Sequence, residues 1–159
     1  FRTFTLCTMG EMPSGRTVVL RGYDSINSLL TFHSNSHAEK IEHLNSNPEV
    51  CCVFYSKSSK LQIRCFGKAS INHKNKKSES SGRKMSDMSK ECYFQNPLPG
   101  TPIDNYDNFT KNIETRESNF FCVVEIKLSK IDWIFLIRYG DRKANIFFDD
   151  KKEDLWVCS

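Results

Sequence analysis

Two stretches carry the residues best suited to chemistry. Arg16-Thr-Val-Val-Leu-Arg21 places a guanidinium at each end of an apolar strand, and Phe32-His-Ser-Asn-Ser-His-Ala-Glu-Lys40 runs a second strand into a helix start. Hydroxyl and imidazole groups precede that helix, and a lysine sits inside its first turn. Free N–H groups at a helix N-terminus, with cationic side chains converging on them, hold a phosphate well. Lys40 alone would oppose the helix dipole, so its position points to a bound anion that offsets the conflict.

Other constellations are weaker. His33 and His37 are four residues apart but straddle a strand-to-helix junction, with no third ligand nearby, so no metal site is expected. No Ser-His-Asp, Cys-His or paired-carboxylate arrangement stands out, and no catalytic residue is assigned. Seven cysteines, an odd number without a C-x-x-C pair, lie mostly in apolar strand-like runs. They read as buried free thiols in a reducing compartment. Cys51 and Cys52 are adjacent on a strand and point to opposite faces, which makes a vicinal pair unexpected.

The elements that must position these groups are mainly strands. Residues 1–9 and 16–23 read as strands separated by the turn Gly10-Glu-Met-Pro-Ser-Gly15, and 28–34 as a third. Ser36-His-Ala-Glu39 matches a capping box, which starts a helix at Ser36 with Ile41 and Leu44 on its apolar face, stopped by Asn47-Pro48. Residues 49–56 and 61–71 form strands around the turn Lys57-Ser-Ser-Lys60. Residues 72–91 are a Lys- and Ser-rich polar insert, expected to be the least ordered part, with the basic run Lys74–Lys77 solvated and a short helix near Cys92. Asn96-Pro-Leu-Pro-Gly-Thr-Pro102 is non-helical, and Tyr106, Phe109 and Ile113 mark a short helix. Runs at 120–128, 133–139, 144–148 and 155–157 complete the strands. The expectation is one domain over 1–159, mainly β: an antiparallel, Greek-key-like barrel with two or three appended helices.

At 159 residues and 18.4 kDa the chain can bury a real core. A net charge of +4 suits an anionic small ligand as well as a nucleic acid and does not discriminate between them. No apolar run reaches the ~18 residues of a membrane helix and no signal peptide is visible, so neither membrane nor export is expected and the cytoplasm is the default. Because the chain starts at Phe1 without methionine, a leading segment is expected to precede it.

Several of these motifs, in order, resemble one family. Thr5-Leu-Cys-Thr8, Gly15-Arg-Thr-Val-Val-Leu-Arg-Gly-Tyr-Asp24, Phe32-His-Ser-Asn35 with Lys40, Asn47-Pro48, Gln62-Ile-Arg-Cys-Phe-Gly-Lys68 and Arg138-Tyr-Gly-Asp-Arg142 with Trp156 look like the pyridoxamine 5'-phosphate oxidase family. That resemblance implies an FMN-binding split β-barrel and an obligate homodimer with the flavin between subunits. It assigns Arg16, Thr17, Val18, Val19, Leu20 and Arg21 to the flavin, with Arg16 at the ribityl-phosphate end and Arg21 nearer the ring. By the same resemblance His33 and Ser34 face the cofactor and Lys40 pairs with the phosphate. Gln62 hydrogen-bonds the ring or ribityl chain, and Arg142 is a further contact near the ring. Arg138 and Tyr93 are the candidate contacts to a small-molecule substrate.

Two departures from the family pattern matter. The Ser-Arg-Lys triplet reads Ala38-Glu39-Lys40, so an expected phosphate-binding arginine is an acid. On the pyridoxal-phosphate side, Tyr93-Phe94 matches, but the expected arginine is Pro97 and the expected histidine is Gly140. Asn96-Pro-Leu-Pro-Gly100 is closer to a branch of uncharacterised FMN-binding relatives. Pyridoxamine phosphate oxidation itself is therefore not expected.

The leading expectation is an FMN-dependent oxidoreductase. The flavin would accept a hydride at N5 and pass electrons to oxygen or another acceptor, while Arg21 and Arg142 stabilise charge at the N1/C2 edge. The alternative is a non-catalytic carrier or sensor of FMN or another planar ligand, since a fold does not fix an activity. A small basic barrel binding nucleic acid is a third reading, but Tyr55, Lys57, Lys60 and Arg64 interleave basic and aromatic side chains too sparsely, and no nucleic-acid partner is assigned.

Overall fold

The fold is seen in a computed structural model that describes residues 1–86, 89–90, 93, 98–103, 120–138, 140–148 and 152–158. In chain order the elements are β1 (Thr3–Met9), β2 (Pro13–Asp24), β3 (Leu29–Asn35), α1 (Glu39–Ser46), β4 (Glu49–Ser56), β5 (Leu61–His73), α2 (Lys76–Arg83), β6 (Phe121–Phe135), β7 (Arg142–Phe147) and β8 (Leu155–Val157). All described strand pairs are antiparallel, in the order β3-β2-β1-β4-β5-β6-β7-β8, with a further pairing between β3 and β6. That last pairing closes β3-β2-β1-β4-β5-β6 into a barrel. The chain runs β1-β2-β3 by hairpins and returns through α1 to set β4 beside β1, which is a Greek key. The mainly β split barrel expected from the sequence is therefore the fold.

β6 makes the split. Along one edge it pairs with β5 over nearly its whole length. Along the other, Phe121–Lys127 face β3 and Lys130–Phe135 face β7. The sequence suggested two strands here, at 120–128 and 133–139, with polar residues Ser129, Lys130 and Asp132 between them. They are instead inside one strand. The register shifts between Phe66 and Gly67, leaving Ser129 as an extra residue whose Oγ donates to the Phe66 carbonyl at 3.2 Å. Asp132 is buried and held by the Arg64 Nη2 at 2.5 Å across the β5–β6 pair, which explains a polar residue in mid-strand.

The barrel interior is filled by Phe4, Leu6, Phe32, Cys52, Phe54, Val124 and Ile126, with Phe4 in ring contact with both Phe32 and Phe54. Burial of such side chains contributes about 1.5–3 kcal/mol each. The described cysteines are free thiols; Cys52, Cys65 and Cys122 are buried as expected, whereas Cys7 and Cys51 are half-buried and Cys158 is exposed. Cys52 and Cys65 meet inside the barrel while Cys51 is only half-buried; burial pushes the Cys65 thiol up to about 12 and that of Cys122 to about 11.

The polar insert needs correction. Residues 76–83 form α2, started by a reciprocal capping box in which Asn75 Oδ1 accepts the Ser78 N–H and Ser78 Oγ accepts the Asn75 N–H, both at 3.0 Å. Ser78 is buried, Gly82 lies against the Phe121 ring, and Lys77 pairs with Glu125 at 2.5 Å, so one lysine of the basic run docks the helix on β6. The turn at 57–60 is as expected, with Lys60 at φ 50°. The helix expected around Tyr106–Ile113 and the one near Cys92 lie outside the described residues.

Gly67 sits where β5 and β6 approach most closely: a Cβ there would lie 2.2 Å from the Lys127 carbonyl oxygen, a backbone atom. Gly67→Ala is expected to destabilise the barrel by about 1–3 kcal/mol or more. Thermal unfolding checks this; an unchanged Tm would mean that the strands can separate there without cost.

Candidate functional site

β2 alternates, so Arg16, Val18 and Leu20 turn inward while Thr17 and Val19 face out. Arg16 is anchored by three donations, to Thr8 Oγ1 at 2.5 Å, Ser14 Oγ at 2.6 Å and the Leu6 carbonyl at 3.5 Å. Its partners on β1 and β2 are all neutral. The nearest acid is Glu39, at 3.6 Å and 71% exposed, a pair that solvent screens strongly.

The start of α1 differs from expectation. Its cap is Ala38, which offers no side-chain acceptor, and the helix begins at Glu39 rather than Ser36. Asn35 makes the turn instead: its Oδ1 accepts the His37 N–H at 2.9 Å and its carbonyl accepts the Ala38 N–H at 3.0 Å. Ser36 and Glu39 therefore form no capping box. Glu39 points to Arg16 and, at 3.8 Å, to His43, while His43 Nδ1 shares a hydrogen bond with Thr8 Oγ1. The first-turn N–H groups of α1 are left without a capping side chain.

Lys40 is half-buried, with its Nζ donating to Ser34 Oγ at 3.4 Å. Burial lowers its pKa, and the nearby Arg16 guanidinium lowers it further. Two cations thus crowd an uncapped helix start whose dipole already repels them. The donor set fits a dianion: a phosphate there would relieve the repulsion, accept from Lys40 and take up the free N–H groups.

Farther along β2 and β3, on their outer face, the geometry changes. The β2–β3 register steps from Leu20↔Phe32 to Gly22↔Thr31, so Arg21 is the extra residue of a bulge and its side chain is exposed. The alternation of β2 puts Arg21 on the outer face with Thr17 and Val19, where it shares a cleft with His33 of β3. A cleft of about 430 Å³ lies here, with Arg21, Thr31 and His33 on the barrel side and Ser81, Lys84 and Ser86 on the α2 side. His33 packs edge-on against Phe121 at 4.9 Å, and its Nδ1 is buried without a hydrogen-bond partner. Burial, then the Arg21 charge, push its pKa down to about 4. Arg16 and Arg21 are five residues apart, about 17 Å along the strand, so the two patches lie in series rather than converging on one point.

The remaining candidates lie elsewhere. Gln62 is on β5 opposite Tyr55 and Ile134, and Arg142 on β7 opposite Phe135. His33 is opposite Val123, so 11 residues of β6, about 36 Å, separate its level from that of Gln62. Arg138 is exposed beyond the end of β6. Tyr93 stacks edge-on with Phe121 at 5.0 Å, on the His33 side. Phe94, Pro97 and Tyr139 lie outside the described residues. Thr8, Ser14 and Lys84 were not singled out from sequence; only the Ser- and Lys-rich composition of the insert hinted at the last. Among the described residues no His, Cys, Asp and Glu cluster suited to a metal occurs, and no helix is long and apolar enough to cross a membrane.

Comparisons with known proteins bear on the fold and on the first half of the chain. Residues 1–73 match the sequence profile described as pyridoxamine 5'-phosphate oxidase, FMN-binding domain, which bears out the family resemblance over that segment. No curated relative matches the sequence significantly. Among solved structures, a pyridoxamine 5'-phosphate oxidase-related, FMN binding protein from Nostoc punctiforme superposes with a TM-score of 0.80 at 18% identity, covering 99% of this chain and 88% of that one. PhzG from Burkholderia lata, in complex with tetrahydrophenazine-1-carboxylic acid, gives 0.78 at 10% identity over 99% and 82%. A protein related to general stress protein 26, from Clostridium acetobutylicum, gives 0.60 at 16% identity over 95% and 87%. At these identities the shared property is the fold.

The depressed pKa of His33 has a consequence for stability. Between its ordinary value near 6.5 and about 4, the unfolded chain binds a proton that the folded chain does not, so stability falls as pH drops through that window. For a half-exposed ring the loss is about 1–2 kcal/mol. Urea unfolding at pH 7 and pH 4.5 should show this loss in the wild type and a smaller one in His33→Gln; equal losses would show that the ring is solvated.

Proposed function

We propose, taking the family match over residues 1–73 as premise, that this chain binds FMN and acts as a flavoprotein oxidoreductase on a small molecule. The observation that carries the reading is the pairing of Arg16 and Lys40 at an uncapped helix start, which suits the terminal phosphate of the cofactor. From there β3 leads past Ser34 on its inner face to His33 and Thr31 on its outer face, towards Arg21. This is a track along which an extended mononucleotide can lie, beside the backbone of Thr17–Leu20. When bound, the flavin supplies the hydride and electron-transfer chemistry that no side chain here offers. The residues of the chain bind and orient it: Lys40 and Arg16 hold the phosphate, and Arg21 sets positive charge near the ring, where it favours the reduced, anionic form.

Gln62, Arg142 and Arg138 stand too far along β6 to reach a mononucleotide seated at His33 of the same chain. A second copy can bring them to it, which supports a homodimer with cofactor at the interface. Light scattering on the purified protein should give twice 18.4 kDa; a stable monomer that holds FMN would remove the shared-site reading.

A carrier or sensor role is the second reading, favoured by the weak basicity of His33, whose pKa is pushed down to about 4. NAD(P)H consumption by the loaded protein separates the two. For the cofactor itself, the visible spectrum of the purified protein should show bound flavin, and Arg16→Ala with Lys40→Ala should abolish retention without unfolding the barrel. Glu39 competes with phosphate for Arg16, so Glu39→Gln should tighten FMN by up to about fivefold, the worth of an exposed pair. Retention at wild-type affinity in the double variant would overturn the phosphate assignment.

A further inference from the structure

The outer face of the barrel holds a facing pair of cysteines that the cofactor track does not use. In the β1–β4 register Cys7 stands directly opposite Cys51. The Leu20 N–H donates to the Arg2 carbonyl at 2.9 Å, so alternate residues from Arg2 to Leu6 bond towards β2 and Cys7 bonds towards β4. In such a hydrogen-bonded pair the Cα atoms lie about 5.5 Å apart, which is among the commonest separations for a disulfide. Both thiols are half-buried and line a cleft of about 460 Å³ that runs out past Met9, Pro13 and Asn47. Gly15 faces Cys7 on its other side, and even a Cβ built there would lie 4.0 Å from the sulfur, so that flank of the thiol is open. Burial raises the pKa of Cys51 and the neighbouring Cys7 raises it further, which keeps Cys51 a thiol.

The contrast is with Cys52 and Cys65, which also face each other but are buried in the barrel, where close packing excludes an oxidant. Gln62 faces Tyr55 and Val19 faces Thr3, at the far ends of the same strands from the cysteines. The flavin track near Arg21 and the Gln62 ascribed to a second copy belong to that far end.

We propose that Cys7 and Cys51 form a reversible intrachain disulfide in response to hydrogen peroxide, fastening β1 to β4 on the outside of the barrel. The Cys7 sulfur attacks one peroxide oxygen, the O–O bond breaks, and Cys7 becomes a sulfenic acid as one water leaves. The Cys51 sulfur then attacks that of Cys7 and displaces hydroxide, which takes the Cys51 proton and leaves as a second water. Two thiols lose two electrons and one peroxide becomes two waters. Peroxide is also what a reduced flavin yields when it passes its electron pair to oxygen, so the inference rests on the proposed function for a source of oxidant and on the strand register for the site. The link encloses β2, β3 and α1, and cross-linking so long a loop restricts the unfolded chain, so the oxidised protein is the more stable form. Facing Cβ atoms rest at about 4.5–5.5 Å, wider than the ~3.8 Å a disulfide prefers, so the bond holds strain and a thiol reductant opens it readily.

Purified protein treated with stoichiometric hydrogen peroxide, alkylated and digested with trypsin should yield fragments 3–16 and 41–57 joined, two hydrogens lighter than their sum. The Tm should rise by about 5 °C, and dithiothreitol should reverse both changes. Cys7→Ser and Cys51→Ser should each abolish the link and the rise. The second variant also separates Cys51 from Cys52, which shares its fragment, so a link that persists in Cys51→Ser overturns the inference. A link that joins two copies on non-reducing electrophoresis, or alkylated thiols at both positions after treatment, overturns it as well, and a link that leaves the Tm unchanged overturns the fastening of the strands. Flavin content, read from the visible spectrum, is a separate result. The link in protein that refuses flavin supports the disulfide and removes the cofactor reading, while its absence in flavin-loaded protein removes the disulfide and leaves the cofactor reading intact.

Discussion

The closure of β3 on the first half of β6 is the constraint on which the rest of the molecule depends. Those seven facing pairs, Leu29↔Lys127 to Asn35↔Phe121, turn an open sheet into a barrel and hold β3 between β2 and β6. Several groups of the candidate site hang on that closure: Ser34 and His33 on β3 directly, Lys40 through the Asn35 turn, Arg16 and Arg21 on β2 beside it, and α2 through the docking of Lys77 and Gly82 on β6 residues Glu125 and Phe121. The bulge at Ser129 is what allows the same strand to leave the barrel and pair with β7. Without it β6 would follow the barrel wall throughout, and the β7–β8 extension would have no edge to join. Gly67 permits the close approach at that point, so the split and the closure come from one local irregularity.

Much of this was legible in the sequence because the governing forces are local. Period-two burial on β1, β2 and β4, the buried pair Ile41 and Leu44 on α1, and the turn at Lys57–Lys60 follow from side-chain patterning and backbone preference alone. The failures came where long-range contacts overrule them. Asp132 looks like a turn residue until Arg64, 68 positions away, neutralises it within the sheet. Ser36 and Glu39 satisfy the capping-box pattern, yet the Asn35 side chain claims the turn first, and the pattern is realised at Asn75 and Ser78 in a segment whose polarity suggested disorder. That helix is stable because it covers Phe121, which its own sequence could not reveal.

The site was legible in its residues but not in its layout. Arg16 and Arg21 bracket an apolar run and look like a pair; five residues apart on an alternating strand, they fall on opposite faces, Arg16 inward and Arg21 outward. Nothing in the local sequence announces a bulge at Arg21, since the mismatch is defined only by β3. Likewise the distance between His33 and Gln62 depends on β6 being one long strand, and once it is, a single chain cannot wrap both around one mononucleotide.

The electrostatics show why these charges are where they are. A fold selected for stability alone would not set Lys40 in the first turn of a helix, half-bury it, and place Arg16 beside it, because burial and like charge both disfavour its ammonium form. Glu39 offsets little of this, since its carboxylate is largely in water and its nearest approach to Arg16 is 3.6 Å. The same holds at the other end of the track, where Arg21 faces a neutral imidazole and a lysine rather than an acid. Charges weakly compensated at two points along β2, one on each face, raise the free energy of the unliganded protein, and an anionic occupant would recover that cost as binding energy.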